Sequence, residues 1–374
     1  MSRFKSSSPL RTPLIAGAGA AALCVAVAGA LAFLNTQSPP PVGARASLPA
    51  LAVDGAEAVE VAQAPAPVFA ETPAEDIALP GVTETEAALN PPVSEAAAAP
   101  RAPQAPLAGL YEPGPGGPLP VIAPDGRRPD AAYARAFDGD PSAPTVAIVV
   151  GGLGLNRALT QEAIEALPAE ITLAFVPYAR DLQDWVDRAR ADGHEVLIEL
   201  PMEPFDYPNN DPGPHTLLAE ASEIENTHRL DWLLSRAAGY TGVINYLGAR
   251  LGASERAMSH VLAALEARGL SVYHDGSGRR PVLEAAQAAS EARLSLVDRL
   301  LDANPEAAAI DERLLELEAL SLQNGTALGL GSPYPTTVES LADWANSLPA
   351  RGYQLAPASF VSRVRHAQAS EPES

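Results

Sequence analysis

Two patterns of apolar and polar positions alternate along the second half of the chain. Short runs such as TVAIVV (145–150) and TALGLG (326–331) are apolar throughout, which is typical of strands buried on both faces of a parallel sheet. Between the runs lie stretches with apolar residues at helical spacing, and one of them begins with Ser222 and Glu225 at the spacing of a capping box. The pattern predicts an α/β fold in which helices cover a parallel sheet.

About seven or eight strand–helix units follow one another in the region 144–362, which favours a distorted (β/α) barrel, open or closed. A flat, doubly wound sheet is the alternative, but no glycine-rich phosphate loop that opens a helix supports it. The remaining predicted strands are 171–176, 194–200, 241–246, 270–275 and 353–357, with a short one inside LSLVDRLLD.

The first 34 residues have a different pattern. Residues 14–34 contain no charge and, as a helix, would span roughly 30 Å, the thickness of a bilayer core. Basic residues precede this segment and an acidic region follows it, so we expect 1–13 in the cytoplasm and the folded domain in the periplasm of a bacterial envelope, with a single-pass inner-membrane anchor. A cleaved signal peptide is the alternative, and it would export the same domain.

Between these regions, residues 35–143 are rich in proline, alanine and acids and show no sustained periodicity. Proline removes hydrogen-bond donors and fixes φ, so we predict a disordered linker, and a disordered tail over 363–374. The larger apolar residues from Leu110 to Pro129 leave open that this part docks on the folded domain.

Composition excludes several classes of function. The formal net charge is −21, which disfavours binding to nucleic acid or to an anionic membrane surface. Cys24 is the only cysteine, so the chain can form neither an intramolecular disulfide nor a thiolate metal cluster.

In a parallel barrel, functional side chains lie at the C-terminal ends of the strands. The residues at the predicted strand ends are unusual for an enzyme, because a glycine pair without side chains follows the first strand, where a reactive loop is expected. The candidate residues at these ends are Gly151, Gly152, Tyr178, Glu199, Glu203, Asn245, Tyr246, Arg250, His274, Asp275, Ser332 and Tyr334.

Several of these stretches, among them AIVVGGLGL, ADGHEVLIELPMEP, VINYLGARLGASERAMSHVLAALEARGL and GSPYPTTVESLADW, resemble divergent polysaccharide deacetylases of bacterial envelopes, which have a NodB-like fold. The resemblance covers roughly 145–360 and implies a (β/α) barrel. Relatives in the wider family use a divalent metal, held by one Asp and two His, and a second Asp as base to remove acetyl groups from glycans.

The positions that carry this chemistry in the family are replaced here. Gly151 and Gly152 stand where the resemblance places two Asp, and Glu199 and Tyr246 each stand in the place of a His. Two further His positions late in the chain are Ser332 and Tyr334. We therefore expect no metal and no cofactor, and a deacetylase-like protein of carbohydrate metabolism that is catalytically inactive.

Such a protein would bind an envelope glycan, a peptidoglycan fragment or another envelope protein. The alternative is an active, unconventional deacetylase, for which a divalent metal such as zinc would be expected. A rewired site of Glu199, Tyr246, His274 and Asp275 fits that alternative. A Ser-His-Asp triad built on Ser332 can also be drawn, although no nucleophile elbow surrounds it.

Overall fold

The computed structural model describes residues 105–140 and 142–370. The predicted anchor and most of the predicted linker lie outside the described residues. Within the described ranges no helix combines the length and the apolar character that a membrane span requires.

Eleven strands are present in this part of the chain. Their bounds are β1 Tyr111–Pro113, β2 Pro118–Pro120, β3 Thr145–Leu153, β4 Thr172–Phe175, β5 Val196–Met202, β6 Gly242–Leu247, β7 Ser271–His274, β8 Leu294–Leu296, β9 Arg299–Leu300, β10 Thr326–Gly331 and β11 Gln354–Leu355. The helices are α1 Pro129–Ala132, α2 Arg157–Ala166, α3 Leu182–Ala191, α4 Glu223–Leu234, α5 Glu255–Ala267, α6 Arg280–Ser290, α7 Ala307–Asn324, α8 Pro335–Ser347 and α9 Ala358–Ser370, with short 3-10 turns at Leu251–Ala253 and Pro349–Arg351. The predicted alternation of strands and helices is confirmed.

The main sheet is parallel, with the strand order β8-β7-β6-β5-β4-β3-β10-β9, and β11 pairs with the first residues of β3. Its two end strands are neighbours in sequence. The amide of Val297 donates to the backbone carbonyl of His274 in β7 at 2.8 Å, and the next amide, of Asp298, donates to the backbone carbonyl of Leu328 in β10 at 2.8 Å. The sheet therefore curls until its ends meet, which rules out the flat, doubly wound alternative.

Alternation along each strand separates two apolar clusters. The outer cluster packs the sheet against the surrounding helices. The inner cluster fills the curled sheet and is completed from α9 by Ala358 and Val361; its strand residues are Ala147, Val149, Ala174, Leu197, Ile244, Tyr273 and Leu328.

The predicted tail at 363–374 is wrong for its first part, because α9 continues to Ser370. Arg365 of this helix donates to the carbonyl of Leu296 at 2.8 Å and pairs with the carboxylate of Asp298. These contacts fix α9 against the strands, so its charge-rich sequence does not fray.

The predicted boundary of the linker at 143 is also wrong. From residue 105 onward the chain lies on the domain, with Leu110 1% and Tyr133 5% exposed. The amide of Gly116 donates to Ser235 at 2.8 Å, and Arg128 pairs with Glu266 at 2.7 Å. The prolines prevent long regular elements, but the apolar side chains between them bury against the helices, so docking is what the structure shows.

Local caps position the loops. The capping box predicted at α4 is present, with reciprocal bonds between Ser222 and Glu225. Ser254 begins α5 without the side-chain bond expected of a cap. At α2 the cap is Asn156, which accepts from two amides, and Thr160 of the same helix accepts from the amide of Gly154 at 2.9 Å. The turn that follows Gly151 and Gly152 is thus anchored to α2.

Candidate functional site

The side chain of Glu199 lies in the space beside Gly151, inside the barrel at the C-terminal ends of the strands. Both residues lie on the inner face of the sheet, because side chains alternate along a strand and Val149 and Leu197, two residues earlier, belong to the inner cluster. A Cβ atom added to Gly151 would lie 2.6 Å from Oε1 of Glu199. The Glu199 carboxylate therefore fills the space that a side chain at 151 would need.

The same carboxylate holds the next turn. The amide of Gly152 donates to Oε1 of Glu199 at 2.5 Å, and Gly152 is exposed with φ +74. Glu199 itself is 6% exposed. Burial raises the pKa of Glu199 to about 7, and the hydrogen bond from Gly152 opposes this shift. At neutral pH the carboxyl group is close to half ionised.

Glu203 is committed to the fold. Its carboxylate accepts from the amide of Ala219 at 2.7 Å and pairs with Arg250 at 3.2 Å. The backbone carbonyl of Glu203 also accepts from the amide of Arg250 at 3.0 Å. Glu203 and Arg250 thus join the loops after β5 and β6 and are not free for a ligand in the way that Glu199 is.

Asn245 and Asp275 form a second structural unit. The Asn245 side-chain amide donates to Asp275 at 2.9 Å and to the carbonyl of Leu247 at 2.6 Å, and its oxygen accepts from the amide of Asp275 at 2.8 Å. Leu247 has φ +58 and Gly248 has φ +102, and a Cβ on Gly248 would lie 2.7 Å from Cβ of Met202. The Asn245 side chain stabilises this left-handed turn, so Asn245 and Asp275 have a structural role.

His274 does not join Glu199, so the rewired site is not assembled. Tyr273 belongs to the inner cluster, and alternation therefore directs His274 to the opposite, outer face. His274 is fully buried, its Nδ1 accepts from the amide of Gly276 at 3.1 Å, and its Nε2 has no hydrogen-bond partner among the described residues. Burial lowers the pKa of His274, although Asp275 opposes the shift.

The tyrosines separate into two groups. Tyr246 and Tyr334 follow strand ends and are about half exposed, at 48% and 49%. Tyr178 instead accepts from the amide of His215 at 3.1 Å and lies 5.8 Å, centroid to centroid, from Trp232. Only Tyr246 and Tyr334 of these three tyrosines therefore offer open rings at the C-terminal edge.

Ser332 is held by an aspartate that the sequence did not single out. Asp302 accepts from the amide of Ser332 at 2.6 Å and from the Thr337 hydroxyl at 3.0 Å. The Ser332 hydroxyl lies 3.5 Å from the same carboxylate, and no histidine bonds to it in the described ranges. The proposed triad is not formed. The one sequence signal for Asp302 is its position two residues after β9.

The matched family accounts for this architecture. The family model described as divergent polysaccharide deacetylase matches residues 148–361. The chain belongs to this family. The match covers β3 to α9, and thus each of the strand-end residues discussed above.

The chain is also similar to individual proteins and to a solved structure. The crystal structure of the uncharacterized protein ATU2773 from Agrobacterium tumefaciens C58 is 38% identical, with a TM-score of 0.64, over 66% of this chain and 99% of that one. The uncharacterized protein YibQ of Escherichia coli is 27% identical over 60% of this chain and 70% of its own length. An uncharacterized Haemophilus influenzae protein is 25% identical over 54% and 72%.

The residues at this end of the barrel do not fit the divalent metal that the wider deacetylase family uses. In the described residues, no three His, Cys, Asp or Glu side chains are grouped closely enough to hold an ion. Gly151 and Gly152 offer no ligand atom, and an aspartate at 151 would collide with Glu199. The carboxylates of Glu203 and Asp302 are already bound to other groups. Among the described residues, Glu199 and Asp275 each keep one carboxylate oxygen without a hydrogen-bond partner.

Proposed function

We propose that this deacetylase-family protein is a membrane-anchored component of the bacterial envelope that binds a glycan, or an envelope partner, without removing acetyl groups. The anchor is the predicted span at 14–34, which would place the folded domain in the periplasm. One observation carries the proposal of inactivity: the Glu199 carboxylate occupies the side-chain space of residue 151, where the family resemblance implies an aspartate.

This arrangement argues against the idea that the site has lost one metal ligand and that another residue has taken its place. A metal-dependent deacetylase needs a carboxylate base and several metal ligands converging on one water. Here Glu199 is directed at Gly152, and Ser332 at Asp302. Tyr246 and Tyr334 bear phenols, which are not among the usual protein ligands of zinc, whereas imidazole is.

The test combines metal analysis with a deacetylation assay on the full-length chain. We expect no stoichiometric transition metal after purification with added zinc, cobalt or manganese, and no acetate release from acetylated peptidoglycan fragments. Binding to peptidoglycan in a pulldown is expected to persist. Stoichiometric metal together with acetate release would overturn the proposal.

The alternative, an unconventional hydrolase, is favoured by one observation. A buried carboxyl group whose pKa is about 7 is suited to donate or accept a proton at neutral pH. Acetate release that Glu199→Gln abolishes, in metal-free protein, would support this alternative. Restoring the family mechanism would require more than aspartates at 151 and 152, because Glu199 must first leave the space that the side chain at 151 requires.

A further inference from the structure

Glu199 is a buried carboxylate that lacks a cation. The amide of Gly152 is bound to Oε1, and no Lys, Arg or His of the described ranges pairs with either oxygen. Burial without a counter-charge disfavours the ionised form of a carboxyl group, and a cation next to it would restore that form. The second oxygen, Oε2, has no hydrogen-bond partner in the described ranges and is not enclosed, so it can accept from a positively charged donor that enters from solvent.

Three other buried carboxylates of this domain pair with an arginine, and a fourth, Glu195, accepts hydrogen bonds from Ser359 and from the amide of Arg135. Glu203 pairs with Arg250 at 3.2 Å, Glu318 with Arg351 at 2.8 Å, and Asp130 with Arg293 at 3.0 Å. Each of these acids is less than 10% exposed, as Glu199 is. Each of these four acids has an internal cation or several internal donors, whereas Glu199 has one donor, so its remaining oxygen is available to a partner from outside the domain.

Two half-exposed tyrosines, Tyr246 and Tyr334, follow strand ends near the backbone of Glu199 and Gly152. In the register of β5 and β6, Glu199 is opposite Ile244, and Tyr246 lies two residues further along on the same face. On the other side Pro333, which precedes Tyr334, comes within 3.6 Å of a Cβ position on Gly152. Aromatic rings beside a carboxylate attract cations, and they also cover the apolar faces of sugars.

We infer that this mouth binds a protonated primary amine carried on a sugar, with Glu199 as the counter-ion and Tyr246 and Tyr334 beside it. The inference rests on the proposed glycan binding and names its ligand class: amino sugars whose amine is free. An ammonium has three donors and no acceptor, so it satisfies Oε2. An acetamido group carries no charge and offers a single neutral N–H donor, so its hydrogen bond to the carboxylate is weaker than that of an ammonium. The net charge of −21 further favours a cationic ligand.

Calorimetric titration of the full-length chain with two matched oligosaccharides tests the inference. The probes are the tetramer of glucosamine, with every amine free, and the tetramer of N-acetylglucosamine, at pH 7 and low salt. We expect the free-amine tetramer to bind at least about tenfold more tightly. Glu199→Gln keeps the size and the acceptor for Gly152, and should lower affinity for the free amine by about ten- to a hundredfold, as expected for a charge-assisted hydrogen bond.

Two further variants separate this site from general effects. Glu220→Gln changes the net charge equally at an exposed loop position and should leave the preference unchanged. Gly151→Ala keeps the charge but displaces the carboxylate from its position, because the added Cβ would lie 2.6 Å from Oε1, and it should weaken binding of the free amine. Circular dichroism spectra identical to those of the unaltered chain exclude misfolding.

The outcomes are distinguishable. Equal affinity for both tetramers, or a preference that survives Glu199→Gln, overturns the amine site but leaves glycan binding intact. An equal loss in Glu220→Gln also overturns it, because the effect would then be long-range electrostatics. If the unaltered chain binds neither tetramer and no peptidoglycan, the proposed function itself is contradicted.

Discussion

The shared volume of Gly151 and Glu199 leads to a quantitative prediction. Gly151→Ala adds one methyl group whose carbon would lie 2.6 Å from Oε1 of Glu199. Relief requires the carboxylate to move, which breaks its hydrogen bond with Gly152. The contacted atom is the end of a flexible side chain, so the methyl group displaces it without overpacking the core. Loss of a hydrogen bond to a charged group costs about 1.5–3 kcal/mol, and we expect the free energy of unfolding to fall by about this amount.

In a Glu199→Ala background the same substitution should behave differently. Gly151 does not have a positive φ, so alanine fits its backbone, and removal of the carboxylate leaves room for the methyl group. The substitution should then be neutral or stabilising by about 0.4–1 kcal/mol through the unfolded state. The coupling energy between Gly151→Ala and Glu199→Ala is therefore about 2–4 kcal/mol, well above the deviation of about 0.3–0.5 kcal/mol from additivity that independent sites show.

The assay is urea unfolding of the four proteins of the cycle, followed by far-ultraviolet circular dichroism and fluorescence. The unfolding midpoints, at constant m-value, give each free energy. If Gly151→Ala destabilises both backgrounds equally, the two residues do not share the volume that the structure assigns to them, and the reasoning about a displaced aspartate fails with it.

Three other outcomes are expected. The pKa of Glu199 is raised from 4.5 to about 7, so the stability that Glu199 adds relative to Glu199→Gln is complete below pH 4.5 and falls by about 3 kcal/mol as pH rises through 7. Urea unfolding of both proteins at pH 4.5 and pH 8 measures this difference. The same difference in unfolding free energy at both pH values would contradict the prediction. Gly248→Ala should lower the melting temperature far more than Gly276→Ala, because both have positive φ but the first would meet Met202 at 2.7 Å and the second meets nothing within 4 Å. Leu110→Ala should destabilise by about 2–4 kcal/mol in chemical unfolding, since Leu110 is buried; no effect would support the disordered linker instead.

Hydrophobic periodicity was sufficient for most of the fold. Fully apolar runs such as TVAIVV and TALGLG allow no amphipathic alternative, so their assignment to buried parallel strands holds, and β10 covers 326–331 as predicted. The proline-rich segment was misjudged because proline forbids regular elements but not burial. Leu110 and Tyr133 pack between turns, which periodicity cannot detect.

The candidate site was only partly predictable. The glycine pair after β3 signalled a missing side chain, and strand-end position located Glu199, Tyr246 and Tyr334. Alternation along each strand places His274 and Glu199 on opposite faces of the sheet once the inner and outer faces are assigned. Asp302 carried a weak signal, because an aspartate after a short strand is common.

By itself the sequence determined the alternation of strands and helices, the acidic character of the chain and the absence of acids and imidazoles at particular strand ends. These are properties of single positions and of their immediate neighbours. Only the tertiary structure decided that Glu199 fills the space beside Gly151 and that its second oxygen has no internal cation. Gly152, whose amide binds this carboxylate, is 47 positions from Glu199. The two residues meet because β4 lies between β3 and β5 in the curled sheet, so their contact depends on sheet register and curvature, which no local pattern encodes.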